Sequence, residues 1–400
     1  MSAPALPTNR DENWRYANLR AVAKARIELA PDVTVNIATA TPQKLAGFER
    51  RIFVDGHFVA SDETPDARVR LLDARTAGES FVAMLDADLA SAGVDFALAR
   101  MNAAHGDNVL LVELPDDSPP LNLELVYFAA APAASGTSYP RVQVIAGRNT
   151  RLRLVERHLS VDASDSLVNG AFDILLRQDA QLDHVRVQSC ASTAAIFDTL
   201  MAHVGERATY RFRTITLGGL AARSTAFIKL AGRAARCEYT AASVANGLQS
   251  LDAFAEIDHA APDTTTREVF RGIATERGKL AFNGKMIVRE NAFDADSDQS
   301  LKTLLTGSGA EAAARPQLEI YTDRVKAKHG ATTGKLDDQM LFYLLSRGIE
   351  RPMAQALLQW AFIEDAVSKV EPAELRREVE KLVSEQLLEV SSLGLLGDGP

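Results

Sequence analysis

Cysteine is scarce in this chain of 400 residues. The two cysteines, Cys190 and Cys237, lie far apart, and no CxxC motif is present. This spacing argues against a disulfide framework and against a thiolate zinc site. We therefore interpret each cysteine as a small buried hydrophobic residue.

The chain also has no excess of basic charge and no long apolar run. The formal net charge is −9 and the pI is near 5.4, whereas nucleic-acid binding needs a clustered basic surface. No window holds about 18 uninterrupted apolar residues, so we expect no membrane span. The N-terminus has no basic stretch followed by an apolar one, and the expected location is the cytoplasm.

The common catalytic signatures are missing. The chain has no GxxxxGK[ST], no GxGxxG after a strand, no GxSxG and no HExxH. Its seven histidines are scattered without ligand spacing, and its carboxylates are too numerous for sequence alone to select a catalytic pair.

The region 1–120 is predicted to be mostly helical. Trp14, Leu19, Val22 and Ile27 give partial helical spacing, and residues 78–105 are rich in Ala and Leu. Within this region, two short apolar runs around Asp55-Gly56 predict a hairpin.

The region 121–334 is predicted to consist of short strands separated by polar turns. A unit of strand, charged turn, small residue and strand recurs at Thr150, Ala180, Ala208 and Ala234, every 26 to 30 residues or so. Such a period favours a β-helix, in which each coil buries its face on the next. A β-sandwich is the competing interpretation, and Asn283-Gly284 is expected to be a further tight turn.

The region 335–390 is predicted to be helical, and 391–400 to be a disordered tail. Asp337 can cap a helix that stops at Gly348, and Pro352 suits a first helical turn. In the second helix, a face is formed by Ala354, Leu357, Leu358, Ala361, Phe362 and Asp365. These helices could cap the end of the strand coil or dock a partner.

The segment from Gln317 to His329 reads as extended, with a slip of phase at Asp323-Arg324 that suggests a bend or bulge. After the slip, His329 shares the phase of the apolar residues and opposes the lysines. This phase allows a core histidine with a hydrogen-bond partner, or an imidazole available to a metal or a proton.

The same region resembles a known family. The run from Lys326 to Asp337, KAKHGATTGKLD, is similar to the closing signature of the SufD family of iron–sulfur cluster assembly proteins. Further matches are RPQLEI from Arg315, FNGK from Phe282, DHAAP from Asp258 and WRY from Trp14. The resemblance is dense from about residue 250 to 365 and loose before residue 140.

The resemblance implies a mainly β fold, with a right-handed parallel β-helix between N-terminal and C-terminal helical regions. It also implies a non-catalytic scaffold that pairs with a SufB-like subunit and docks a SufC-like ATPase, on which ATP is hydrolysed. No cofactor is expected to be bound tightly; a transient iron–sulfur cluster or iron would be shared with the SufB-like subunit. His329 is the expected residue at that interface, and a possible transient metal ligand. The expected docking residues for the ATPase are Phe342, Tyr343, Arg347, Gly348, Ile349, Leu358 and Phe362.

One position departs from the family. Many relatives carry a cysteine two residues before the histidine, where this chain has Ala327. A thiol contributed by this chain at the site is therefore in doubt.

Two other functions stay open on the residues alone. One is a carbohydrate-active enzyme on a β-helix, which requires an exposed charged cluster midway along the coil. The other is a plain structural protein that forms a homodimer through a free strand edge.

Overall fold

The computed structural model describes residues 6–33, 35–36, 41–74, 93–160 and 165–393. Its strands are β1 Glu49–Val54, β2 His57–Ser61, β3 Val69–Asp73, β4 Asn108–Leu114, β5 Leu121–Ala129, β6 Thr137–Ser138, β7 Arg141–Ala146, β8 Arg151–Ser160, β9 Leu167–Leu176, β10 Gln181–Gln188, β11 Ala195–Val204, β12 Thr209–Thr216, β13 Ala221–Leu230, β14 Arg236–Ala245, β15 Ser250–His259, β16 Thr265–Ala274, β17 Lys279–Val288, β18 Ala295–Leu305, β19 Glu311–Ile320 and β20 Val325–Gly334. Its α-helices are α1 Arg20–Lys24, α2 Ala97–His105, α3 Asp338–Ser346, α4 Arg351–Val367 and α5 Ala373–Leu393.

The strands form two stacked parallel sheets. Sheet A runs in the order β19-β17-β15-β13-β11-β9-β7-β4-β3, and sheet B in the order β2-β1-β5-β8-β10-β12-β14-β16-β18-β20. From β7 onward, consecutive strands alternate between the sheets. Each of the roughly seven turns of the β-helix therefore adds one strand to each sheet. Side chains alternate between the interior and the outer surface, and one continuous apolar core fills the interior. The predicted mainly β fold with a parallel β-helix is confirmed, and the β-sandwich is excluded.

One corner of the coil repeats a left-handed backbone. Asn149, Asp179, Arg207, Ala234, Asp263 and Asp294 have φ between 52° and 61° and recur every 27 to 31 residues. The residue that follows is buried in each coil, as Thr150, Ala180 and Ala208 illustrate. The fourth predicted position is wrong by one residue, because the turn before β14 has one residue more and buries Ala235.

The turn expected at Asn283-Gly284 is also wrong, because both residues lie in the middle of β17. Gly284 faces the interior, where a Cβ would collide with the side chains of Glu268 and Gln299. Glycine in a strand interior commonly marks such a close approach, rather than a turn.

The N-terminal region is less helical than predicted. Before residue 121, the described residues hold β1 to β4, two single 3₁₀ turns and the short helices α1 and α2. The hairpin at Asp55-Gly56 is confirmed, since β1 and β2 pair antiparallel across it. Strands β1 and β4 pair parallel with β5 and β7, so the coil begins upstream of residue 121. Residues 75–92 of the predicted helical stretch lie outside the described residues.

The N-terminal segment packs on the outer face of sheet A. Trp14 is fully buried there, with its indole N–H donating to Asp95 at 2.8 Å. The guanidinium of Arg223 lies 4.5 Å from the centre of the indole ring.

The C-terminal helices pack on the outer face of sheet B. The residues that form this contact are Val155, Val185, Val187, Ile215, Leu217, Ala242, Val244, Ile273 and Leu304 from the strands, with Ala356, Ile363, Val379, Val383 and Leu387 from the helices. Capping of the coil end, one of the two predicted roles of the helices, is therefore wrong.

The helix boundaries and faces are partly as predicted. Asp337 accepts from the backbone N–H groups of Gln339 and Met340, and Gly348 follows α3 with φ 83°. In α4, however, Leu357 and Asp365 of the predicted face are exposed. Helix α5 continues to Leu393, past the predicted start of the tail; residues 394–400 lie outside the described part.

Both cysteines are buried, as predicted. Burial raises the pKa of Cys190 to about 12 and raises that of Cys237 further. Neither thiol is therefore prepared to act as a thiolate.

Candidate functional site

The last coil, β19 and β20, forms an open end of the β-helix. Each strand pairs on one side only, β19 with β17 and β20 with β18. From Lys328 to Gly334 every residue of β20 is exposed, and the residues of β19 are only half-buried or exposed. The segment read as one bent strand is two strands, with the phase slip at the corner between the sheets.

A row of inward-facing residues crosses sheet B and ends at His329. Strand register places the members of this row directly beside one another; in chain order they are Leu123, Leu154, His184, Phe212, Tyr239, Glu268, Gln299 and His329. All members before His329 are at most 2% exposed, whereas His329 is exposed. His329 therefore has the inward phase that the sequence predicts, but it is not a core histidine, because no coil follows to cover it.

Two polar residues lie directly beneath His329 in this row. The side-chain amide of Gln299 donates a hydrogen bond to Oε2 of Glu268. Burial raises the pKa of Glu268 to about 8, despite this hydrogen bond. The other oxygens of the pair, Oε1 of Gln299 and Oε1 of Glu268, are buried without a hydrogen-bond partner.

Sequence reasoning missed Glu268, Gln299 and Gly284, although a signal was present. Counting back from His329 by the repeat length leads to Gln299 and then to Glu268, which face the interior as His329 does. A carboxylate or amide on the buried phase of a strand requires a partner. The repeat length could thus have identified both residues.

The neighbours of His329 on β20 differ in direction. Val325 and Ala327 are half-buried, whereas Lys326 and Lys328 are exposed beside Asp296 and Asp298 of β18. The inward row that contains Ala327 holds a thiol only at Cys237, three strands further down the sheet. The described neighbours of Ala327 therefore provide no substitute for the missing cysteine.

Two other histidines share a buried carboxylate. His158 and His184 both contact Glu156, and Arg186 donates to it at 2.9 Å. Burial opposes ionisation of Glu156, but the charges of Arg186 and His184 hold its pKa well below its usual value. This cluster lies midway along the β-helix, where Glu156 is paired with Arg186 and two histidines.

His259 is a core histidine with hydrogen-bond partners, the alternative that the sequence had left open for His329. Its ring nitrogens contact the hydroxyl groups of Thr264 and Thr266, at 2.8 and 3.0 Å. Burial lowers its pKa to about 4, so it is neutral at physiological pH.

The expected docking residues divide into two sets. On α3, Phe342 is 72% exposed and Tyr343 52% exposed, with the Arg347 guanidinium 5.2 Å from the Tyr343 ring centre. Gly348 is exposed and Ile349 half-buried beyond the helix end. On α4, Leu358 is half-buried, and Phe362 packs against the apolar contact with sheet B. The α3 side chains are thus the more available ones.

In the part of the chain that the structure describes, no three His, Cys, Asp or Glu side chains come together as a metal site. His329 can supply one imidazole ligand, and iron–sulfur clusters are usually held by several ligands, mostly thiolates. Among the described residues, this end therefore offers one imidazole and no complete ligand set for such a cluster. Separately, no helix among the described residues is long and apolar enough to cross a membrane.

Comparison with known proteins identifies the same family that the sequence motifs resemble. Residues 128–362, more than half of the chain, match the family described as "SUF system FeS cluster assembly, SufBD core domain". The chain is 25% identical over 391 residues to the iron–sulfur cluster assembly protein SufD of Escherichia coli, covering 96% of this chain and 89% of that one. It is 24% identical to a SufBD family protein of Synechocystis sp., over 95% and 87% of the two chains. A SufBD family protein of Mycobacterium tuberculosis is 26% identical over 62% of this chain and 66% of its own.

Proposed function

Because the chain belongs to the SufBD core family of iron–sulfur cluster assembly proteins, we propose that it is a non-catalytic scaffold subunit of a SufBCD-type complex. In this proposal its open end joins a SufB-like subunit, and its C-terminal helices dock a SufC-like ATPase. The nascent iron–sulfur cluster is cargo, which the complex builds and passes on.

The observation that carries the proposal is the exposed imidazole of His329 on a terminal strand that is paired on one side only. A β-strand edge recruits a partner through main-chain hydrogen bonds. A strand of a second β-helix paired with β20 would bring its own side chains beside His329. A cysteine on that strand would complete a mixed thiolate and imidazole ligand set for iron. Since this chain provides one ligand at most, the cluster would be shared and held weakly enough to be transferred.

Docking of the ATPase is supported by the exposed side chains on α3. Phe342 and Tyr343 are two adjacent exposed aromatic residues on a helix whose inner side, at Leu341, is buried. Exposed aromatic residues next to an arginine are typical of the energetic centre of a protein interface. The half-buried Leu358 and Phe362 of α4 would contribute at the margin of this surface.

The test is cluster formation on the assembled complex with His329→Ala. We expect the variant to fold and to join the complex, because the side chain of His329 is exposed. Cluster formation should fall at least tenfold, measured by visible absorption and by bound iron and sulfide.

Lys328→Ala is the matched control, since Lys328 neighbours His329 on β20 but faces outward. It should leave the cluster yield unchanged. A full yield from His329→Ala in an intact complex would refute the assignment of the site.

A further inference from the structure

We propose that Gln299, oriented by Glu268, fixes the ring of His329 by accepting a hydrogen bond from one ring N–H. The second ring nitrogen is then left without a proton and directed to the open end. Gln299 and Glu268 are thus positioning residues. This inference deepens the proposed function and rests on it, as far as the role in cluster assembly is concerned.

The orientation of the Gln299 amide is the first support. Register places Glu268 of β16 on one side of Gln299 and His329 of β20 on the other. The amide nitrogen is turned toward β16, because it donates to Glu268. The amide oxygen is on the other arm of the same planar group, so it is not the atom that contacts Glu268 and is free to accept from another side.

The unpaired oxygen is the second support. Gln299 is 2% exposed, and its Oε1 has no hydrogen-bond partner among the described residues. Buried amide oxygens in native proteins almost always accept a hydrogen bond. The imidazole of His329 is the donor-bearing side chain that the register puts beside it.

The space around the pair is the third support. Gly284 on the facing strand β17 has no side chain, and a Cβ there would collide with the Gln299 amide and the Glu268 carboxyl. Phe270 and Phe282, stacked with ring centres 4.6 Å apart, are also fully buried in the same coils. The sequence thus provides room for a polar pair beside the apolar side chains of these coils.

The chemistry follows from the two nitrogens of imidazole. In the neutral ring one nitrogen carries a proton and the other offers a lone pair. A hydrogen bond at one nitrogen decides which of the two can bind a metal. In this arrangement Gln299 presents its unpartnered oxygen to the imidazole, and an acceptor selects the tautomer with the ring proton on its own side.

The experiment reads the tautomer of His329 directly in the full chain. Nitrogen-15 chemical shifts of labelled histidine are recorded at about pH 9, where an ordinary imidazole is neutral. The His329 signals are assigned by their loss in His329→Ala. In the unchanged protein we expect two widely separated nitrogen shifts, which indicate one tautomer.

In Gln299→Met the two shifts should approach each other by at least half of their separation, because the selecting acceptor is gone. Glu268→Met should have the same effect, because it removes the acceptor that holds the Gln299 amide in its orientation. Glu268→Gln keeps an oxygen acceptor for that amide and should restore the separation. A purely structural role for Glu268 would not give this rescue.

Gln317→Met is the matched control, since Gln317 lies on β19 of the same coil, on the outward-facing side. Circular dichroism and thermal unfolding verify that each variant is folded. If Gln299→Met does not fold, the comparison of Glu268→Met with Glu268→Gln gives the same test. An unchanged His329 signal in folded Gln299→Met would overturn the inference.

The cluster assay separates this inference from the proposed function. If the inference is right, Gln299→Met lowers cluster formation several-fold and Gln317→Met does not. Loss of one tautomer in Gln299→Met, together with full cluster yield in His329→Ala, would sink the proposed function alone. A tenfold loss in His329→Ala with an unperturbed tautomer in Gln299→Met would sink the inference alone.

Discussion

Two buried glutamates show that the surroundings decide whether a buried carboxyl group is ionised. Glu156 is fully buried but lies against Arg186 and two histidines, which stabilise its charge. Glu268 is buried to the same extent, but among the described residues it accepts only from the neutral amide of Gln299. A neutral donor compensates far less for the loss of hydration than a cation does. Glu268 is therefore the carboxyl that gains from keeping its proton.

This contrast predicts a pH dependence of stability. The pKa of Glu268 is raised to about 8 in the folded chain, above its unfolded value, so its contribution to stability is complete below about pH 4.5 and is lost as the pH rises through about 8. The loss reaches about 1.4 kcal/mol per pH unit. Glu268→Gln removes this dependence, and its free energy of unfolding relative to the unchanged protein should rise by a few kcal/mol between pH 5 and pH 9.

Urea unfolding at several pH values measures that difference. Glu290→Gln serves as the control, because Glu290 is exposed and should show no trend. Parallel curves for the unchanged protein and Glu268→Gln would contradict the burial argument.

For single residues, the sequence predicted which way a side chain faces better than it predicted whether that side chain is exposed. Alternation along β20 gave His329 the inward phase and the lysines the outward one, and the structure agrees. Exposure depends on whether another coil follows, which no local pattern contains. For the same reason the partners of His329, Gln299 and Glu268, lie about 30 and 60 residues away and are invisible to a local reading.

Among the elements, the repeated corner determines the period of the coil. Six residues hold the left-handed backbone there, and only Asn149 and the three aspartates are of types that tolerate it well. Ala234 and Arg207 have neither glycine's freedom nor a short polar side chain. These two corners are therefore strained, and the other contacts of the coil hold them in place.

Ala234→Gly should stabilise the protein by about 1 kcal/mol, since it relieves the left-handed conformation at φ 58°. Ala231→Gly, at an exposed position of the same turn without positive φ, should destabilise it by about 0.5–1 kcal/mol. Chemical denaturation of both variants tests the pair. The same sign for both changes would contradict the account of the corner.

The elements were predictable where the repeat was regular and less so elsewhere. Regular turns with a small buried residue after each revealed the β-helix. In the N-terminal region, strands β1 to β4 are short and interrupted, and residues rich in Ala and Leu resembled helices. In α4, apolar residues occur on two sides, so the spacing at Leu357 and Leu358 could not reveal that Ala356 and Ile363 face the sheet.

The whole molecule is a coil covered on both sheets and uncovered at one end. The N-terminal segment packs on sheet A and the C-terminal helices pack on sheet B. At the beginning of the coil, the antiparallel strands β2 and β3 pair with β1 and β4. Nothing comparable among the described residues follows β19 and β20. The C-terminal helices α3 to α5 thus have two different sides. One side packs on sheet B and contributes to stability, and the other is exposed and available for a partner.

Phe342→Glu should distinguish the side of the helices that binds a partner from the side that contributes to stability. Phe342 is largely exposed, so the free energy of unfolding should change by less than about 0.5 kcal/mol. Loss of an aromatic hot spot costs about 2 kcal/mol or more, so affinity for a SufC-like ATPase should fall about thirtyfold. Titration calorimetry with the purified ATPase measures this.

Leu375→Ala is the opposite case, because Leu375 is buried between α5 and its neighbours. It should lower stability by about 2–5 kcal/mol while the folded fraction retains its affinity. Lys381→Ala, at an exposed site on α5, should change neither property. Unchanged affinity in Phe342→Glu would move the docking surface away from α3.

The uncovered end has a consequence for how such a chain can change in length. Each coil covers the inward row of the coil before it, so the exposed imidazole is determined by counting coils. Insertion of one further coil after β20 would enclose His329 beside Gln299, as Gln299 now encloses Glu268. Deletion of the last coil would instead present an amide to the partner. The number of coils is therefore as much a part of the site as the histidine itself.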